Sequence, residues 1–347
     1  MESMKFLQLK KLVLLVTLLI FASQQNYAQL PSSDPSYKLV FHDEFDKTFP
    51  HSPVNTKWWS RTPPWNQKSN YTENTAFCNP NDSTPRYWDR AYIMKDSNDT
   101  TTVKVSNGTC KIITNKVNYN GRVSNWPQCN PDKPGYSVNN KKCMDECKTG
   151  SDGISRCWTI DTLPFKYTTG MLYSTRKFFR GYFEIRFRLP APPEPPGNYQ
   201  GFGPNFWLYG NNPPVNYTSE IDIFEIIALH QPKGDTNKYT STVHYSDKKS
   251  NTHPTAHTEE LGNSLKDDTD WHTAAVWWTD KFVKFYFDGS PYYTVENRKD
   301  IPVDKLVEMY MIIDVNAPTW GRCNNFDPEL TRFPYVYEID YVRVYQQ

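Results

Sequence analysis

Ser219-Glu220-Ile221-Asp222-Ile223-Phe224-Glu225 decides the fold. Acidic and aliphatic residues alternate in it, the period of an extended strand with one covered face. Glu220 and Asp222 therefore share a face. Glu225, five positions after Glu220, falls on the opposite face of a regular strand. One β-bulge between Asp222 and Glu225 returns it to the first. Carboxylates in an apolar run are costly to bury, so such a run carries a function more often than not. Three carboxyls would then converge on one surface. Two carboxyls held about 5 Å apart are the apparatus of retaining glycoside hydrolysis. A calcium-binding carboxylate cluster or an ordinary exposed strand edge would also present acids. Ile221, Ile223, Ile226 and Ile227 speak against the exposed edge.

The neighbouring chain repeats the β pattern. Phe183, Ile185, Phe187 and Leu189 alternate with Tyr182, Glu184, Arg186 and Arg188, as in a half-buried antiparallel strand. Phe282–Phe287, Asp288-Gly289 and Tyr292–Val295 read as a hairpin with a two-residue turn. Val307, Met309, Met311, Ile313 and Val315 alternate, and residues 337–345 form a further strand. No stretch beyond the N-terminal region keeps a 3.6-residue apolar period for long, and 27 prolines disfavour long helices. Many short strands with regular turns predict an all-β sandwich of two antiparallel sheets.

These blocks carry a family resemblance. Trp207-Leu208 through Ser219–Glu225 resembles the active-site region of glycoside hydrolase family 16, which holds laminarinases, agarases, porphyranases and carrageenases. Leu39–Phe45 is similar to that family's first strand, and Gly181–Pro190 to the strand before its cleft. Trp271-His272-Thr273 with Phe285–Gly289 resembles its later hairpin, and Asp340–Tyr345 its last strand. The blocks occur in the family's order from about residue 38 onward. The resemblance implies a β-jelly roll with a substrate cleft across its concave sheet. It implies that Glu220 is the nucleophile and Glu225 the general acid and then base, with Asp222 between them. A neighbouring negative charge favours the protonated form of a carboxyl. The cluster can thus hold one proton near neutral pH. Esterification of Glu220 would then relieve Glu225.

Further site residues follow from the same resemblance. Trp207 would stack on the sugar next to the scissile bond. Asn205 lies in Pro204-Asn205-Phe206-Trp207, where Pro-Ala-Phe-Trp is the more familiar form, and is a candidate for substrate binding. His244 would sit on a neighbouring cleft strand, and Trp320 would line a subsite. Arg176, Arg180 and Arg322 could meet sulfate or carboxylate groups. Glu44 and Asp340 match the positions that hold a structural calcium in many members; no cofactor is expected for catalysis. The expected activity is retaining, endo-acting hydrolysis of a β-linked polysaccharide, with a β-1,3-glucan such as laminarin first. Marine galactans (agar, porphyran, carrageenan) and a non-catalytic polysaccharide-binding role are the alternatives.

Composition bounds the rest. A net charge of +1 over 347 residues gives no argument for nucleic acid or an acidic membrane surface. Aromatic residues make up 15%, enough for a core and a sugar-stacking surface. Lys5, Lys10 and Lys11 precede the apolar run Leu12–Ala22, and Ala28 precedes Gln29. This reads as a secretory signal peptide over residues 1–28, with the catalytic domain over 29–347. The run is too short to span a bilayer comfortably, so a secreted or periplasmic monomer without membrane insertion is expected. Seven cysteines suit an exported protein, and the odd count leaves at least one thiol free or paired between chains. Six lie between Cys78 and Cys157. The stretch of about 115–168 is rich in Asn, Gly, Pro and Lys and reads as a disulfide-stapled insertion.

Overall fold

The computed structural model describes residues 30–46, 57–60, 73–74, 90–92, 102–125, 147–149, 155–157, 159–189, 203–212, 217–226, 239–247, 255–257, 269–316 and 333–347. Strands dominate them, and their only helical pieces are two single 3₁₀ turns. One sheet has seven strands. In spatial order they are Thr255–His257 (β15), Tyr239–Asp247 (β14), Tyr217–Ile226 (β13), Gly203–Asn212 (β12), Tyr310–Asn316 (β19), Met171–Ser174 (β10) and Trp58–Ser60 (β2).

The second sheet has eleven. Its path runs Ser290–Glu296 (β18), Phe282–Phe287 (β17), His272–Trp278 (β16), Gly181–Arg188 (β11), Tyr335–Gln346 (β20), Thr109–Asn125 (β6), Thr159–Thr169 (β9), Arg90–Tyr92 (β4) and Glu73–Asn74 (β3). Lys38–Asp43 (β1) pairs with β20, and Val103–Ser106 (β5) with β6. All these pairs are antiparallel except β4 with β9. Cys147–Thr149 (β7) and Ser155–Cys157 (β8) form a separate two-stranded ribbon.

The expected alternation is present. Phe183, Ile185, Phe187 and Leu189 all lie in the core between the sheets. They meet Phe206, Leu208, Ile221, Val243, Met311, Ile313 and Val315 from the seven-stranded sheet. Burial at roughly 25 cal/mol per Å² of apolar surface makes this shared layer the main force holding the sheets together. Asp288 and Gly289 both have positive φ, 45° and 73°, as the two-residue turn between β17 and β18 requires. Asp288 further accepts the Thr273 backbone N–H at 2.8 Å.

The segment 115–168, read as an insertion, carries paired strands among its described residues. β6 runs through it to Asn125, and β9 occupies 159–169. The two strands pair with each other from Asn115↔Thr168 to Asn125↔Thr159, with one register shift on the way. Their backbone groups pair with one another along this ladder. Cys147 and Cys157 stand opposite one another in the β7–β8 ribbon. Cys110 is a buried free thiol on β6, and burial pushes its pKa well up. The signal region at 1–28 lies outside the described residues.

Candidate active site

The decisive strand is β13, and its bulge is where the spacing placed it. Against β14, Asp222 pairs with Thr242 and Glu225 with Thr240. Two residues, Ile223 and Phe224, thus oppose the single Ser241. Both turn to the core, where Phe224 stacks on Phe187 with ring centroids 4.5 Å apart and planes 11° apart. Glu220, Asp222 and Glu225 are left on the outer face. The buried Ser241 hydroxyl donates to the Ile223 carbonyl at 2.6 Å and also meets the Tyr292 hydroxyl. Ser241 therefore satisfies a carbonyl at the bulge, where the ladder is interrupted.

Register fixes what surrounds the acids. Across β12, Glu220 pairs with Tyr209, Asp222 with Trp207 and Glu225 with Asn205. One strand further, Tyr209 pairs with Tyr310, Trp207 with Ile312 and Asn205 with Asp314. Trp207, Tyr209 and Tyr310 pack with Met171, Tyr173 and Ile312 in a cluster separate from the core. An aromatic surface thus adjoins the acids on the outer face. Half-buried Trp207 meets Tyr209 edge-on at 6.0 Å, and its indole N–H donates to Asp314 Oδ1 at 3.2 Å. Asn205 is buried and donates its amide N–H to the same oxygen, also at 3.2 Å. His244 pairs directly with Glu220 in the ladder, yet its Nε2 lies 3.2 Å from Asp222 Oδ2.

The electrostatics separate the three acids. Burial raises all three above the ordinary carboxylate range. For Glu220, His244 and a hydrogen bond with Asp222 oppose that rise. For Asp222, burial is reinforced by Glu220 and Asp314, and the pKa goes well up. Glu225 also goes well up, first through burial, then through Asp222 and Glu220, against a weaker pull from His244. Glu220 is thus the acid whose anion finds the most support, and Glu225 is shifted toward its protonated form.

Glu220, Asp222 and His244 bring ligand atoms within 4.8 Å of one another. A hard divalent cation wants ionised oxygens. Here the burial that raises the carboxyls, with the Asp222–Glu220 hydrogen bond, favours a shared proton instead. Asp340 lies on β20 in the other sheet, and Glu44 directly follows β1. Arg343 grips Glu44 through two bonds of 2.9 and 2.8 Å and holds it below the usual carboxylate range. Arg186 lies 2.5 Å from Asp340. A guanidinium already occupies each carboxylate, so the pair as arranged does not fit a calcium ion.

The outer aromatics Tyr173, Tyr209 and Tyr310, the bulge support Ser241 and the fourth carboxyl Asp314 were not singled out by the motif. An acid inside Met311-Ile312-Ile313-Asp314-Val315 was the available signal, by the logic that exposed Glu220. Arg176 packs over Phe178, 4.7 Å from the ring centroid, and Arg180 over Phe179 at 4.7 Å. Trp320 and Arg322 lie outside the described residues.

A two-sheet β sandwich with three acids gathered around a bulge defines a glycosidase-type architecture. The family model described as glycosyl hydrolases family 16 matches residues 97–332, and the chain belongs to that family. The endo-1,3-1,4-beta-glycanase ExsH of Rhizobium meliloti (strain 1021) is 30% identical over 187 residues, which are 52% of this chain and 33% of that protein. The clotting factor G alpha subunit of Tachypleus tridentatus is 26% identical over 182 residues, 52% of this chain and 25% of that protein. The chain thus spans no more than about a third of these two relatives. Among solved structures, LamAcat from Zobellia galactanivorans superimposes with a TM-score of 0.53 at 20% identity. The match covers 89% of this chain and 98% of that one and establishes a shared fold.

Proposed function

We propose that the protein is a secreted, retaining endo-hydrolase of a β-glucan, with β-1,3-linked chains as its first substrate. One observation carries this reading: three acids share one face around a bulge, and their environments separate a supported anion from a retained proton. Glu220 attacks the anomeric carbon while Glu225 protonates the departing glycosidic oxygen. The Glu220 ester carries no charge, so Glu225, now deprotonated, loses a repulsive neighbour and can take a proton from water. That water releases the sugar with its anomeric configuration kept. Asp222 bridges Glu220 and His244 and holds the nucleophile in place. Trp207, Tyr209 and Tyr310 offer flat faces to pyranose rings. The family membership and the name of one relative, an endo-1,3-1,4-beta-glycanase, support a β-linked polysaccharide as the substrate.

The test is incubation with laminarin, lichenan, agarose, porphyran and carrageenans, with sizing of the products and NMR of the first anomer released. Oligosaccharides of the β-anomer from laminarin are expected. An α-anomer would refute the double displacement, and release from a galactan alone would refute the glucan assignment. Glu220→Gln is expected to abolish turnover while leaving the thermal transition in place. If it kept full activity, Glu220 would not be the nucleophile.

A further inference from the structure

Asp314 has no part in the acid trio, and its position is unusual for a carboxylate. It is 1% exposed and flanked in sequence by the core residues Ile313 and Val315. Its side chain points the other way, to the outer face. There Oδ1 accepts two hydrogen bonds, from Trp207 Nε1 and Asn205 Nδ2, each at 3.2 Å. A carboxylate is acceptor-only, so it complements two N–H donors without conflict. Register places Asp314 opposite Asn205 on β12, and Asn205 opposite Glu225 on β13. The three form one row across the sheet.

We propose that Asp314 is a positioning residue of the active site: it fixes the Trp207 ring and the Asn205 amide beside the acids and sets a negative charge in the same row as Glu225. The inference rests on the glycosidase reading above and deepens it. The indole of Trp207 otherwise rotates about two side-chain torsions. One hydrogen bond at its edge, with Tyr209 packed against the ring, leaves a single plane for a sugar to meet. The Asn205 amide is similarly oriented, with its N–H toward Asp314. The charge works through space. Burial, Asp222 and Glu220 dominate the retention of the Glu225 proton, and Asp314 adds to them. The titratable groups facing this row are Glu220 and Asp222 on β13, His244 on β14 and, from the other sheet, Tyr337 on β20, whose hydroxyl also responds to Asp314.

Two substitutions separate the two roles. Asp314→Asn keeps an oxygen for Trp207 and Asn205 but removes the charge. Asp314→Leu removes both. On laminarin, D314N is expected to keep KM while the alkaline limb of its kcat profile moves to lower pH. One pH unit above the wild-type optimum it should retain a roughly threefold smaller fraction of its maximum. D314L is expected to show the same shift and, in addition, a KM raised about tenfold. A merely structural residue would lower the melting temperature and leave the limb where it is. A catalysis-independent reading keeps the outcome distinct from the glycosidase assignment. Infrared difference spectra, with Glu225→Gln as the subtraction, follow the protonated carboxyl band of Glu225 through a pH titration. That band should vanish at lower pH in D314N than in the wild type. An unchanged band overturns the proposal whether or not any polysaccharide is cleaved. A shifted band in a protein inactive on every polymer sustains it and refutes the substrate reading instead.

Discussion

Replacing Ser241 by Ala tests whether the bulge aims the acids. The Ser241 side chain is wholly buried, and its hydroxyl donates to Ile223 and meets Tyr292. Removing it leaves a buried carbonyl short of a donor, at about 1–3 kcal/mol, and takes an acceptor from Tyr292, at about 1 kcal/mol more. A loss of about 3 kcal/mol follows. Unfolding entropy of about 2.1 cal/mol/K per residue gives roughly 0.7 kcal/mol/K for 347 residues, so Tm should fall by about 4 °C. The sharper expectation concerns rate. Relaxation of the bulge moves Glu225 relative to Glu220, and a shift of about 1 Å costs up to about a hundredfold in kcat. Val243→Ala is the control. Val243 is equally buried on the same strand and pairs with Ile221 outside the bulge. Its loss opens a cavity costing about 2 kcal/mol without touching the Ile223 carbonyl. Differential scanning calorimetry and laminarin kinetics on both variants decide the matter. If S241A and V243A lost stability alike and kept the same kcat, Ser241 would have no role in aiming the acids.

Other expectations follow from the same geometry. Glu225→Gln should stabilise the protein at neutral pH by about 1 kcal/mol while abolishing turnover of the natural polymer. The folded pKa of Glu225 is raised, so the native state binds its proton more tightly than the unfolded chain. Stability is fullest below the unfolded value of about 4.3 and falls as pH rises toward the folded one. The gain should therefore vanish near pH 4, and an equal gain there would contradict the assignment. Glu44→Gln should cost about 1 kcal/mol near neutrality by leaving Arg343 without its bidentate partner, with kcat unchanged. Because the Glu44 pKa is depressed, that cost should shrink as pH falls through its folded value. Calcium at millimolar levels should leave the wild-type Tm where it is. A rise of several degrees would show that Arg343 and Arg186 yield to the ion.

The parts legible in the sequence were those governed by periodicity. Phe183 to Leu189 alternated as written, the Asp288-Gly289 turn has the backbone its residues imply, and Ile223 and Phe224 form the extra pair at the bulge. What stayed hidden depends on strands far apart in the chain. Ser241 is an ordinary strand serine until Ile223 is laid beside it. Asp314 is one polar residue in a strand whose inward positions were read and whose outward ones were not. Asn205, marked as a departure from a familiar motif and as a candidate for substrate binding, acquires a further reason through Asp314: its larger amide has an acceptor waiting. The Glu44 and Asp340 positions matched a calcium pattern by type, but type says nothing of the arginines that reach them.

The placement of β20 has a consequence for how the protein comes into being. It lies between β11 and β6 and also carries β1, yet it follows all of them in the chain. Roughly 150 residues separate the end of β11 from its start, about seven to thirty seconds of ribosomal synthesis. Throughout that interval three strands of the nascent chain, β1, β6 and β11, await a partner that has not been made. The larger sheet closes only once this late strand has been made and has slotted in beside β1, β6 and β11.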